Sequence, residues 1–270
     1  MNYILKTVLF SFVLGSSFFA SSQDASDKKI QAGLVVNGGM NIVTPGLVKK
    51  IDVSGLGSHF SVGVNLNSSF EQAPTLGLLM GLQFDFDGFN YNTKDSIFYH
   101  YFSNEILGKK DAANKEGTFF LQERKIDAIY LSLPVMMIFK TQYIGDFKYF
   151  GKFGLRNSLL LKSTYNDRGV DITNPSQHIA NTENIRFESP GDLFIYKGSV
   201  GIAGGAEWRF IPSTSLVAEI GYYYGFTPMH LDRKENNETL YEYNNTLGQN
   251  VYFSNKATLN QLFFKLSLLF

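Results

Sequence analysis

From residue 30 to the end of the chain, apolar residues recur at every second position, in runs longer than an ordinary soluble sheet uses. In the last run one face carries Leu262, Phe264, Leu266, Leu268 and Phe270; the other carries Gln261, Phe263, Lys265, Ser267 and Leu269. A period of two is the strand signature. Residues 215–227 set Leu216, Ala218, Ile220, Tyr222, Tyr224 and Phe226 against Val217, Glu219, Gly221, Tyr223 and Gly225. Residues 75–93 set Leu76, Leu78, Met80, Leu82, Phe84 and Phe86 against Gly77, Leu79, Gly81, Gln83, Asp85 and Asp87. Residues 193–210 set Val200, Ile202, Ala206 and Trp208 against Lys197, Ser199, Gly201, Gly205, Glu207 and Arg209. Runs at 30–42, 58–68, 125–140 and 147–163 complete eight strands of about 11 to 19 residues. Soluble strands average about 5–6, whereas a tilted strand needs about 9–11 to cross the hydrocarbon of a bilayer.

The two faces decide which side is wet. The less apolar face is rich in Gly, Ser and Asn and holds charges of both signs: Asp85, Asp87, Glu207 and Glu219 with Lys152, Arg156, Lys197, Arg209 and Lys265. An eight-stranded barrel has a bore just wide enough for side chains to fill. Small residues and paired charges suit that bore as a lumen charge network, and the large aliphatics and aromatics then face lipid. The connections agree. They fall at 43–57, 69–74, 94–124, 141–146, 164–192, 211–214 and 228–256, alternating long and short. The expected fold is therefore all-β, an eight-stranded antiparallel up-and-down transmembrane β-barrel with short periplasmic turns and long extracellular loops.

Composition supports this reading. Lys plus Arg and Asp plus Glu number 24 each, which excludes a basic nucleic-acid footprint. Cysteine is absent, so no disulfide, thiol nucleophile or Cys zinc site exists. Residues 1–22 place Lys6 before an apolar stretch and then small residues, the layout of a secretory signal peptide, leaving 23–270 as one outer-membrane barrel domain. Tyr149, Phe150, Trp208, Phe210 and Phe270 are expected in an aromatic girdle at the turn side, and Phe84, Phe86, Tyr222, Tyr224 and Phe226 in one at the loop side. Pro134 cannot donate to a ladder, so a bulge is expected there. The terminal Phe270, with Leu262, Phe264, Leu266 and Leu268 behind it, resembles the C-terminal signal read by the barrel assembly machinery.

A family resemblance rests on two blocks. Gly33-Leu34-Val35-Val36-Asn37-Gly38-Gly39-Met40-Asn41 resembles the glycine-bearing first strand of the PorT-like outer-membrane β-barrel family of Bacteroidetes. Tyr130-Leu131-Ser132-Leu133-Pro134, followed by Tyr149-Phe150-Gly151-Lys152-Phe153-Gly154, resembles its central block. The chain departs from that pattern at Ser132, where an acidic residue is common. The resemblance implies an eight-stranded outer-membrane barrel, and for some members a role in type IX secretion.

Chemistry-bearing motifs are sparse. His59, His100, His178 and His230 all fall in the loop-side half or at outer strand ends, without metal-ligand spacing. A lipid-modifying enzyme would need a pair such as His59 with Ser58 or Ser61 at the outer-leaflet rim. Asp85 and Asp87, two apart, read as members of a paired lumen network rather than as an acid/base dyad. No P-loop, dinucleotide fingerprint or HExxH is present. Tyr241, Tyr243, Tyr252 and Phe253, in a stretch that reads as Asn-rich loop, could bind a protein partner. The expectation is a non-enzymatic integral outer-membrane protein with no catalytic residues, cofactor or metal. Its partners are outer-membrane lipid, the assembly machinery and a protein met through the long loops. A lipid-modifying enzyme and a soluble ligand-binding barrel are the alternatives.

Overall fold

The computed structural model describes residues 30–46, 51–53, 55–102, 116–172, 183–188, 193–211, 213–230, 240–252 and 257–270. The signal segment, His178 and Phe253 lie outside these residues. The strands are β1 (Ile30–Pro45), β2 (Ile51–Val53), β3 (Gly57–Phe70), β4 (Ala73–Phe102), β5 (Glu116–Lys140), β6 (Phe147–Asp171), β7 (Glu183–Glu188), β8 (Tyr196–Ile211), β9 (Thr214–Gly225), β10 (Leu240–Asn244), β11 (Gln249–Tyr252) and β12 (Ala257–Leu269).

Eight of them close a ring, in the order β1, β3, β4, β5, β6, β8, β9, β12 and back to β1, every pair antiparallel. Closure satisfies the backbone without an open edge, a requirement in a medium that offers no hydrogen bonds. At the seam β1 pairs with β12 from Gly33↔Leu269 to Pro45↔Ala257. Phe270 extends this ladder by exchanging hydrogen bonds with Ala32 at 2.9 and 3.2 Å.

The alternation sorts the side chains as the sequence pattern requires. Leu266 is 43% exposed and its neighbour Lys265 is 1% exposed. Ile202, Ile220, Phe264, Met80, Phe84 and Leu155 all point outward, while Asp85, Arg156 and Glu219 are buried in the bore. On β5 the outward apolar run goes from Ile129 to Phe139. At about 3.3 Å per residue and a tilt near 40° it is about 25 Å tall, the height of a lipid-facing band. An exterior of this kind is incompatible with a soluble barrel.

An amide side chain interrupts the band. Asn157 faces outward, and its Oδ1 accepts a hydrogen bond of 2.6 Å from the Tyr196 hydroxyl. Tyr196→Phe should therefore lower stability by about 1–3 kcal/mol, read as an earlier urea midpoint for vesicle-folded protein. Asn157→Leu should be neutral or stabilising, because donor-free lipid then meets no amide.

The short connections are Glu71–Gln72, residues 141–146 and the link from Ile211 to Thr214, all at one end, which is the periplasmic end. Gly145 holds φ +64° in the second of them, a conformation glycine adopts without strain.

Three expectations need correction. Within the loops expected at 94–124 and 164–192 the described residues are almost all strand, since β4 runs 30 residues and β5 and β6 run 25 each. The loop segment around Tyr241 likewise forms β10 and β11, a hairpin that extends β4 sideways. Together with β7 beside β6, these strands raise one side of the barrel into an extracellular wall. Pro134 marks no bulge: the register runs unbroken through it, and the shifts in β5–β6 lie at Leu121/Glu123 and Ile129/Tyr130 instead. A Cβ on Gly81 would stand 3.0 Å from the Pro134 ring, so that glycine makes room for it. Phe150 points into the bore rather than into a girdle, with the Lys152 ammonium 4.4 Å from its ring centre. Tyr149, Trp208 and Phe210 do face outward, as do Phe84, Phe86, Tyr224 and Phe226.

Candidate functional site

Residues two apart on a strand share a face, so Asp85 and Asp87 of β4 both enter the bore. Cations from distant strands meet them. Arg156 of β6 reaches past β5 to Asp85, which also accepts from the Ser132 hydroxyl. Ser132 lies 2.6 Å from Ser158. Lys197 of β8 spans the bore to Asp87 at 2.6 Å. On its other oxygen Asp87 meets His59 Nδ1 at 2.6 Å and accepts from Gln261 at 3.1 Å and Asn41 at 3.2 Å.

Glu219 of β9 sits directly opposite Lys265 of β12. Its two oxygens take Lys265 at 2.8 Å and Lys152 at 2.6 Å. Lower still, Glu207 accepts from the Tyr143 hydroxyl at 3.1 Å. Tyr143 belongs to the turn at 141–146, and its ring lies between Lys148 at 4.1 Å and the Arg209 guanidinium at 4.4 Å. Burial and the adjacent Glu207 carboxylate push the Tyr143 hydroxyl up to about 12, so it remains a donor at any physiological pH.

Asp85, Asp87, Glu207 and Glu219 thus face Lys152, Arg156, Lys197 and Lys265, four buried acids against four buried bases. Arg209 is half-buried at the periplasmic mouth and contributes through the Tyr143 ring. Charges this deep need partners: Asp85 and Asp87 take Arg156 and Lys197, Glu219 takes both Lys152 and Lys265, and Glu207 is held by the Tyr143 hydroxyl.

Above this polar storey the interior changes character. Phe89, Tyr91, Ile97, Tyr99, Phe119, Leu121, Ile126, Tyr130 and Tyr165 form an apolar core inside the extracellular half. Within it Arg124 grips Asp167 through two hydrogen bonds of 2.8 and 2.6 Å, with the Tyr165 ring 4.7 Å from the guanidinium. The bore is plugged from both ends, by this core and by Tyr143. In planar bilayers we expect no steady, reproducible conductance; a stable porin-like current contradicts the packing.

Several of these residues escaped sequence reasoning. His59 does stand at the outer end of β3, but on its inward face, buried in the bore at 3% exposure. Its ring bonds Asn37, Asp87 and Gln261. A lipid-facing His59–Ser58 or His59–Ser61 pair is thereby removed. The phase of β3, with His59, Ser61 and Asn65 on one face, carried the available signal. Arg124 and Asp167 lay in segments read as loop, and Tyr143 sits in a six-residue turn with no pattern. Among the described residues, no group of three or more His, Asp or Glu side chains is arranged to hold a metal.

The C-terminal Leu262, Phe264, Leu266 and Leu268 line the outer surface of β12. Their outward row ends at Phe270, whose backbone is held in the seam.

Comparison with known proteins gives low-identity likenesses to solved barrels. OprG from Pseudomonas aeruginosa is 10% identical, with a TM-score of 0.43, covering 91% of this chain and 98% of its own. A major outer-membrane protein from Thermus thermophilus is 14% identical, with a TM-score of 0.38, covering 90% and 100%. Neisserial surface protein A is 10% identical, with a TM-score of 0.35, covering 90% and 98%. No curated protein sequence matches. The model of the outer membrane protein beta-barrel domain matches residues 19–231, most of the chain. The chain belongs to that family and is an integral β-barrel protein of the outer membrane.

Proposed function

We propose that this barrel is a non-enzymatic accessory or interaction component of the cell envelope, acting through its extracellular wall. The observation that carries the reading is the division of labour along the barrel. The span is filled with mutually paired charges, while β4, β5 and β6 extend to 30, 25 and 25 residues on one side only. A filled bore serves stability, and a wall raised above the membrane serves contact. The resemblance of the Tyr130–Pro134 and Tyr149–Gly154 blocks to PorT-like proteins favours secretion, type IX-like, as the process.

The test is complementation. In a strain lacking the gene, secretion of outer-surface proteins should fall and return with the wild-type chain. A variant without the β10–β11 hairpin should insert normally and fail to restore it. Unchanged secretion in the deletion strain would overturn the secretion assignment.

The C-terminal residues Leu262, Phe264, Leu266, Leu268 and Phe270 are proposed to engage the barrel assembly machinery before the seam closes. Phe270→Ala keeps the two backbone bonds to Ala32 and should slow insertion in cells while leaving the urea midpoint of refolded protein nearly unchanged. A matching loss in both measurements would make the ring's role purely structural.

A further inference from the structure

Above the lipid band, the outward face of the wall turns aromatic again. Phe120, Phe98, Tyr241 and Tyr252 stand side by side across β5, β4, β10 and β11, each opposite the next in register. Their ring centres are 5.3, 5.9 and 5.3 Å apart. His100 stacks on Tyr241 at 5.0 Å and 25°. Tyr252 and Tyr243 leave 42% and 53% of their surface open and His100 is exposed, while Tyr241 behind them is buried at 5% exposure. No acidic or aliphatic side chain belongs to the row.

We propose that the open rings at the edge of this row, Tyr243 and Tyr252 with His100, form a stacking platform for the saccharide head of the outer-leaflet glycolipid that surrounds the barrel. The choice of occupant follows from continuity. The row occupies the same face of β4 and β5 as Phe84, Phe86 and Ile129, which point to lipid. Between the Phe86–Ile129 level and the Phe98–Phe120 level β5 climbs nine residues, about 23 Å at the usual rise and tilt. That is the height at which the sugars of a membrane-anchored glycolipid stand. Between the two levels lies a belt of mixed charge, with Lys125 and Asp127 exposed and Arg168 3.7 Å from Glu123. From bottom to top the outward face therefore offers apolar, then charged, then aromatic chemistry, matching acyl chains, charged head and sugar.

Aromatic faces pack against the C–H faces of sugar rings, while tyrosine hydroxyls and an imidazole supply hydrogen bonds. Each sugar contact is weak, but a lipid-held saccharide is present at high effective concentration beside the wall, so weak stacking suffices. The proposal requires only the outer-membrane setting and goes beyond the accessory reading, so either can fail alone.

Full-length protein folded in detergent micelles would be offered lipopolysaccharide carrying its core saccharide, in competition with the same preparation hydrolysed to lipid A, and bound lipid counted by native mass spectrometry. Wild-type protein should retain the saccharide-bearing lipid roughly 5-fold or more over lipid A. Tyr243→Ala with Tyr252→Ala should bring the two to parity with lipid A retention unchanged, and Tyr243→Ala alone should move partway. Val251→Ala, on the opposite face of β11, should leave the preference intact. Equal retention by wild type, or a preference that survives the double substitution, overturns the proposal. A released, lipid-free core saccharide that competes as well as the intact lipid at equal concentration overturns the lipid-head assignment.

Discussion

Arg156→Ala is expected to destabilise the inserted barrel by about 3–5 kcal/mol, because Asp85 is then left charged and buried without its guanidinium. The cost comes from the orphaned carboxylate rather than from the contact itself. Removing both charges, as Arg156→Met with Asp85→Leu, should recover most of it, since apolar side chains of similar volume often replace a buried pair without loss. The readout is the urea midpoint of protein folded into lipid vesicles, with the four variants treated as a double-mutant cycle. An Arg156→Ala cost below about 1 kcal/mol, in the range of exposed ion pairs, would mean that water reaches the pair and that the bore is open.

Ile202→Arg should cost about 2–4 kcal/mol by the same measurement. Ile202 is 65% exposed on the outer face of β8, opposite Tyr222 on one side and Phe153 on the other. An arginine there must hold its charge in hydrocarbon or bend toward an interface. The same substitution at Thr246, an exposed residue in the β10–β11 turn, should change stability by less than about 0.5 kcal/mol. Equal effects at the two positions would place Ile202 in water.

What could be read in advance was whatever depends on the two-residue period. Leu266 outward and Lys265 inward, Asp85 and Asp87 in the bore, and the eight-membered ring all follow from alternation plus the choice of which face meets lipid. The partners of each charge did not follow. Lys197 reaches Asp87 across the bore from a strand three places away in the ring, and no local pattern encodes that distance. The wall was missed for a different reason. Among the described residues of 94–124 and 164–192 the strands leave the membrane, and outward positions such as Gln122 and Arg168 become polar, so the alternation that marks a lipid-facing strand weakens where pairing continues. Inward positions there turn apolar, as at Tyr99, Phe119 and Leu121, reversing the rule that held below. The strand end gives the height of His59 correctly, but only the phase of β3 gives its face, which is inward. It is 22 residues from Asn37 and 202 from Gln261 along the chain, and pairing β3 with β1, next to β12 in the ring, brings all three together.

The central claim is that the polar face is inside and the apolar face meets lipid. Because the chain has no cysteine, a single introduced cysteine carries a spin label without competition. Labels at 262, 263, 264, 265, 266, 267 and 268 of β12, in protein reconstituted into bilayers, would be scored for collision with oxygen and with a water-soluble nickel complex. Strong oxygen contact is expected at 262, 264, 266 and 268, and little contact with either reagent at 263, 265 and 267. A reversed phase, or nickel reaching 263, 265 and 267, would contradict it.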